Sequence, residues 1–97
     1  YPATINTEAE AQFAGDVAVA LLGAENVVRD LEPSMGAEDF SFMLQTKPGA
    51  YLRIGQGMGA SGVALHNSRY DFNDDILSLG AALHASLIER AMPLPVV

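Results

Sequence analysis

The sequence predicts an α/β fold in which helices cover a small sheet. Three observations predict it. Hydrophobic residues are 49% and charged residues 18% of the 97, a balance that supports a folded interior. Segments with helical periodicity alternate along the chain with short β-branched runs, the pattern of an α/β layer. A chain of this length forms at most one small domain, so its core is expected to be thin.

The first helix is predicted over residues 7–22. Thr7 and Glu10 have the spacing of a capping box, in which each side chain bonds the backbone N–H near the other. One apolar stripe runs along this segment, formed by Ala9, Phe13, Val17, Ala20 and Leu21. Gly23 follows the stripe and is predicted to end the helix, because glycine adopts positive φ without a steric penalty.

Two short strands and two further helices are predicted in the rest of the chain. Residues 26–29 and 50–54 are the predicted strands, since both runs carry β-branched or aromatic side chains. A short helix is predicted over residues 37–45 between them. The last helix is predicted to begin after a cap at Asn73 and to end near Met92, with a buried stripe of Ile76, Gly80, Leu83 and Leu87.

Composition excludes several classes of partner. Five basic against twelve acidic residues give a net charge of −7, which leaves no basic surface for nucleic acid or anionic lipid. There is no cysteine, hence no disulfide, thiolate ligand or Cys nucleophile, and this mildly favours the cytoplasm. The longest apolar run, residues 17–22, is far too short to cross a bilayer. We therefore expect a soluble cytoplasmic protein, and the initial Tyr1 in place of Met leads us to expect a fragment.

A glycine-rich loop precedes the most polar segment. Gly55, Gly57, Gly59 and Gly62 fall close together, but neither the dinucleotide-binding spacing nor the ending of a P-loop is present. Phosphate binding is therefore disfavoured. Residues 64–72 follow with no helical or strand period, and irregular segments carry chemistry more often than regular ones do.

Two histidines and one acidic pair are the candidates for chemistry. His84 lies on the apolar side of the last helix, which favours a packing role. His66 lies in the irregular segment, where a plain surface histidine and a metal or acid–base role are both open. Glu38 and Asp39 are adjacent and so point about 100° apart on a helix, which favours dipole complementarity over a shared metal.

Several segments together resemble a known family. They are residues 33–43, 48–51, 54–55, 65–67 and 70–74. In order and spacing they resemble the C-terminal end of bacterial hippurate hydrolases, which belong with the N-acyl-amino-acid amidohydrolases and auxin-conjugate hydrolases of the aminoacylase metallopeptidase family. Ala37 and Ser68 depart from the family pattern, which usually has Ser and Pro there.

The resemblance implies the C-terminal portion of a three-layer α/β catalytic domain. Residues 1–6 look like the last strand of the family's inserted lid domain, and residues 7–97 like the end of the catalytic domain. Family members often pair through the lid, so a homo-oligomer is compatible with the resemblance.

The implied activity is metal-assisted hydrolysis of the amide bond of N-acyl amino acids. His66 matches a metal ligand of the family, and Zn, Mn, Co or Ni would suit a mixed imidazole and carboxylate shell. The implied substrate-binding wall comprises Gly36, Glu38, Asp39, Phe40 and Asn67. The family's catalytic glutamate and remaining ligands have no counterpart in these residues, so we expect the 97 residues alone to be inactive.

A second hypothesis belongs to a different functional class. The chain would then be a free-standing acidic protein-interaction domain. Its glycine loop and aspartates would be solvated, and its first helix would bind a partner.

Overall fold

The computed structural model describes residues 1–58 and 61–96. Gly59 of the glycine loop and Val97, the last residue of the predicted catalytic-domain portion, lie outside them. The elements, in chain order, are helix α1 (Glu8–Leu22), a 3₁₀ turn (Ala24–Asn26), helix α2 (Phe40–Thr46), a second 3₁₀ turn (Asp74–Ile76) and helix α3 (Leu77–Ala91).

Helix α1 ends as predicted, and it begins after Thr7 without the predicted capping box. Gly23 has a φ of 87° and stops the helix at Leu22. The capping box at Thr7 does not form, because the Thr7 hydroxyl accepts a hydrogen bond from the Gly49 N–H at 3.0 Å instead. The Thr7 N–H in turn donates to the Gly49 carbonyl at 2.9 Å. Thr7 therefore ties the start of α1 to the segment after α2.

The core lies where α1 packs against α3. Its buried apolar side chains, among the described residues, are Ala14, Val17 and Leu83. The predicted stripes are confirmed only in part. Val17 and Leu83 are buried, whereas Phe13 and Leu21 remain more than a third exposed. The core is therefore thin, as expected, and smaller than the length of the chain alone would give.

The predicted α/β fold class is wrong for this structure, which is helical. No strand or sheet forms in residues 1–58 and 61–96. Asn26 lies in a 3₁₀ turn, and the Tyr51 backbone bonds a side chain: its N–H donates to Asn6 Oδ1 at 2.8 Å, and its carbonyl accepts from Asn6 Nδ2 at 3.4 Å. A strand exists only where a neighbouring strand pairs with its backbone. The two predicted strands do not pair with each other, so neither forms.

Helix α2 is shorter than predicted. It begins at Phe40 rather than residue 37, so Glu38 lies before the helix and not in its first turn. The Glu38 carboxylate instead reaches forward to the start of α2, where its Oε1 accepts from the Phe40 N–H. The predicted cap at Asn73 forms on the 3₁₀ turn that leads into the last helix: Asn73 Oδ1 accepts from the Asp75 N–H at 3.0 Å, and α3 itself begins only at Leu77.

The surface is large for a chain of this size. Its accessible area is 7854 Å², whereas a folded monomer of 10.2 kDa is expected to expose about 5,300 Å². Its radius of gyration is 15.4 Å against about 12.5 Å expected. Many large apolar side chains are more than three-fifths exposed, including Val28, Leu31, Met35, Leu65, Phe72 and Leu77. None of the described helices has both the length and the hydropathy to span a membrane.

Candidate functional site

The turn before α2 is built around the Glu38 carboxylate. Its Oε1 accepts from the Phe40 N–H at 3.2 Å, and its Oε2 accepts from the Tyr51 hydroxyl at 3.0 Å. The Phe40 and Tyr51 rings lie with centroids 5.5 Å apart, tilted by 43°. Both carboxylate oxygens are thus held, one by the backbone and one by a residue from a separate segment.

These hydrogen bonds keep Glu38 charged. The Phe40 N–H, followed by the Tyr51 hydroxyl and the neighbouring Asp39, lowers the pKa of Glu38 below its ordinary value of 4.5. The same contact raises the pKa of Tyr51 above 10.0, because the hydroxyl would lose its acceptor on ionisation and then face a negative charge. At neutral pH the pair is a phenol donating to a carboxylate.

Stability should depend on pH through this pair. The lowered pKa of Glu38 in the folded protein adds stability above pH 4.5, and this stability is lost as the pH falls through the folded pKa. The raised pKa of Tyr51 adds stability below pH 10.0 that is lost above it. We expect Tyr51→Phe to destabilise the protein by a constant amount between those limits, and by less in acid. Urea unfolding at several pH values measures this. Tyr1→Phe is the control, and a difference that persists unchanged in acid would contradict the prediction.

The second predicted site segment is the turn that carries His66. His66 has a φ of 66°, a left-handed conformation that is uncommon for residues other than glycine. Asn67 closes the turn: its Oδ1 accepts from the Arg69 N–H at 2.8 Å, and its carbonyl accepts from the Tyr70 N–H at 2.9 Å. The His66 side chain is exposed.

This turn is anchored by Gln56, which the sequence analysis missed. The Gln56 Nε2 donates to the Tyr70 hydroxyl, and its Oε1 accepts from the Asn73 N–H at 3.1 Å. The Gln56 carbonyl also accepts from Asn73 Nδ2 at 3.2 Å. The Tyr70 ring packs edge-on against Phe72 with centroids 5.0 Å apart. A lone glutamine between two glycines carries no sequence signal for this role, because its two partners, Tyr70 and Asn73, are brought to it by the fold.

The structure places the predicted site residues in two groups. Glu38, Asp39 and Phe40 lie together at the start of α2, and His66 and Asn67 share the other turn. No hydrogen bond or ion pair joins the two groups within the described residues. Gly36 lies in open surroundings, where an added Cβ would meet only the Ser34 Oγ, at 3.8 Å.

The described residues do not form a metal site. A catalytic zinc takes about three protein ligands, and no group of three His, Asp or Glu side chains with that geometry occurs in the described part of the chain. His66 offers one exposed imidazole, which is one ligand at most. Any metal centre that uses His66 must draw its other ligands from elsewhere.

Two open grooves lie beside α2. One, of about 380 Å³, runs between α2 and residues 2–7, where it meets Ser41 and Leu44. The other, of about 340 Å³, is lined by Phe40 and by residues 46–49. Neither groove is lined by His66 or Glu38, so neither unites the predicted site residues.

The packing role predicted for His84 is wrong. Its side chain is exposed on α3, one residue after the buried Leu83. The core is narrow at this point and encloses Leu83 but not His84.

The chain is similar to known proteins along nearly its whole length. The family model described as Peptidase family M20/M25/M40 matches residues 1–90. An IAA-amino acid hydrolase (ILR1-like 4) of Arabidopsis thaliana is 40% identical over 92 residues, covering 93% of this chain and 21% of the relative. The hippurate hydrolase of Campylobacter jejuni is 36% identical over 86 residues, covering 89% and 22%.

A third relative has a peptidase name. Thermostable carboxypeptidase 1 of Saccharolobus solfataricus is 36% identical over 89 residues, covering 90% of this chain and 22% of the relative. The chain thus spans about a fifth of the length of the curated relatives it matches. No solved structure matches it.

Proposed function

The chain belongs to peptidase family M20/M25/M40, and on that premise we propose that it acts as the C-terminal part of a metal-dependent amidohydrolase that cleaves N-acyl amino acids. In this reaction water adds to the acyl carbonyl and the C–N bond breaks, which releases a carboxylic acid and a free amino acid. The names of two relatives, a hydrolase of amino-acid conjugates and a hippurate hydrolase, support this substrate class. A cytoplasmic location is part of the same proposal.

The structural observation that favours this proposal over a free-standing domain is the excess of exposed surface. The chain exposes about 2,500 Å² more than a complete globule of its mass, whereas a standard protein–protein interface covers about 800 Å² on each partner. A transient partner would leave most of that excess in water. Enclosure within a larger catalytic domain covers it, which favours the enzyme over the free-standing acidic interaction domain. This proposal agrees with residues 1–6 forming the end of a lid domain and residues 7–97 the end of a catalytic domain.

We assign roles to the predicted site residues on the same basis. His66 supplies one imidazole ligand to a centre that other parts of the enzyme complete, and Zn, Mn, Co or Ni would suit such a mixed shell. Bound there, the metal would activate water for attack on the amide. The residues proposed to line the substrate are Gly36, Glu38, Asp39, Phe40 and Asn67.

The negative charge of Glu38 restricts which groups of the substrate its carboxylate can bind. Its carboxylate accepts hydrogen bonds and repels anions, so it would accept from the amide N–H of the substrate and not approach the amino-acid carboxylate. Under this proposal the scissile amide, rather than the free carboxylate, would lie beside the turn before α2.

The proposal is tested by comparing two proteins. The full-length protein that carries this segment is expected to hydrolyse hippurate or another N-acyl amino acid and to lose that activity when its metal is chelated. The 97-residue chain is expected to show neither hydrolysis nor stoichiometric zinc binding by calorimetry, because it offers a single exposed imidazole. A full-length protein inactive on every N-acyl amino acid, with any of the four metals, would contradict the proposal.

A further inference from the structure

Tyr51 reaches the turn before α2 from a different part of the chain. Its hydroxyl donates to Glu38 Oε2 at 3.0 Å across thirteen residues of sequence. Among the described residues, this is the hydrogen bond that the carboxylate receives from a side chain outside the turn. The backbone N–H of Phe40 holds the other oxygen at 3.2 Å.

The hydroxyl is not needed to hold Tyr51 itself in place. The Tyr51 backbone is fixed by Asn6, which accepts from its N–H at 2.8 Å, and its ring packs against Phe40 with centroids 5.5 Å apart. A phenylalanine would keep both contacts. The hydroxyl therefore acts on Glu38 and not on the position of its own ring.

Two acceptor positions remain on the carboxylate. An ionised carboxylate has about four lone-pair sites, of which the Phe40 N–H and the Tyr51 hydroxyl occupy one on each oxygen. Because both oxygens are held, the carboxylate cannot turn freely, and its two remaining lone pairs point in fixed directions. A group held in this way binds a donor without a further loss of rotamer entropy.

We propose that Tyr51 is a positioning residue whose hydroxyl fixes the Glu38 carboxylate to accept the amide N–H of the substrate. This inference rests on the proposed function, since it assigns Glu38 the amide of an N-acyl amino acid. Tyr51 touches Glu38 and not the substrate.

The test is a double-mutant cycle in the full-length protein with hippurate as substrate. Tyr51→Phe is expected to raise KM about tenfold, because Glu38 loses the hydrogen bond that orients it for the substrate, and to leave kcat nearly unchanged. In the Glu38→Gln background the same substitution should have little further effect, because the charged acceptor is already gone. An unchanged KM, or equal effects in both backgrounds, would overturn the inference.

A second measurement separates this inference from the proposed function. Carbon-13 NMR titration follows the Glu38 carboxyl directly, and Tyr51→Phe should raise its pKa toward the ordinary value whether or not the protein is active. If the pKa does not respond, the positioning role is overturned. If it responds in a protein that hydrolyses no N-acyl amino acid, the proposed function fails while the Tyr51–Glu38 link stands. Tyr1→Phe, which also removes one phenol hydroxyl, should change neither readout.

Discussion

Replacement of His66 by Ala in the full-length protein is expected to abolish both bound metal and hydrolysis. Substitution of residues that merely orient a ligand typically lowers metal affinity or activity 10- to 100-fold, so loss of the ligand itself should exceed about a hundredfold. Metal content by mass spectrometry and turnover of hippurate measure the two effects. Retention of both would reduce His66 to a turn residue.

The backbone at His66 calls for a matched pair of variants. Its φ of 66° is strained for Ala and natural for Gly, so His66→Ala removes the imidazole and disturbs the turn, whereas His66→Gly removes the imidazole and favours the turn. If the imidazole binds metal, both variants lose metal equally. If only the shape of the turn matters, His66→Gly retains activity. His84→Ala removes the other, exposed histidine and should leave metal content unchanged.

Replacement of Leu83 by Ala is expected to unfold the isolated chain. Leu83 is 7% exposed and is one of three buried apolar residues in the described part of the chain. Truncation of a buried leucine costs about 2–5 kcal/mol of unfolding free energy, and a core this thin has little stability to spare. Urea unfolding followed by circular dichroism measures the loss.

Leu77 is the matched control on the same helix. It is 66% exposed, so Leu77→Ala should change the stability of the isolated chain by no more than about 0.5 kcal/mol. In the full-length protein the expectation reverses, because enclosure by the rest of the catalytic domain would bury Leu77 and make its truncation cost about 2 kcal/mol or more. A Leu77→Ala variant that is neutral in both proteins would favour the free-standing domain.

Local features were predicted well, and features that need a distant partner were not. Gly23 ends α1 and Asn73 caps the 3₁₀ turn before α3 because each acts on backbone within two or three residues. Thr7 has an equally clear local signal, but the Gly49 N–H takes its hydroxyl. The family was recognised from the sequence and is confirmed, because the order of the motifs can be compared without knowledge of the fold.

The sequence by itself determined the family and the three helices. Only the tertiary structure decided that residues 26–29 and 50–54 form no sheet, that Tyr51 holds Glu38, and that Gln56 anchors the His66 turn. The physical reason is the range of the interactions. Helix periodicity and caps are satisfied within a few residues, whereas strands and side-chain hydrogen bonds depend on partners that are distant in the chain.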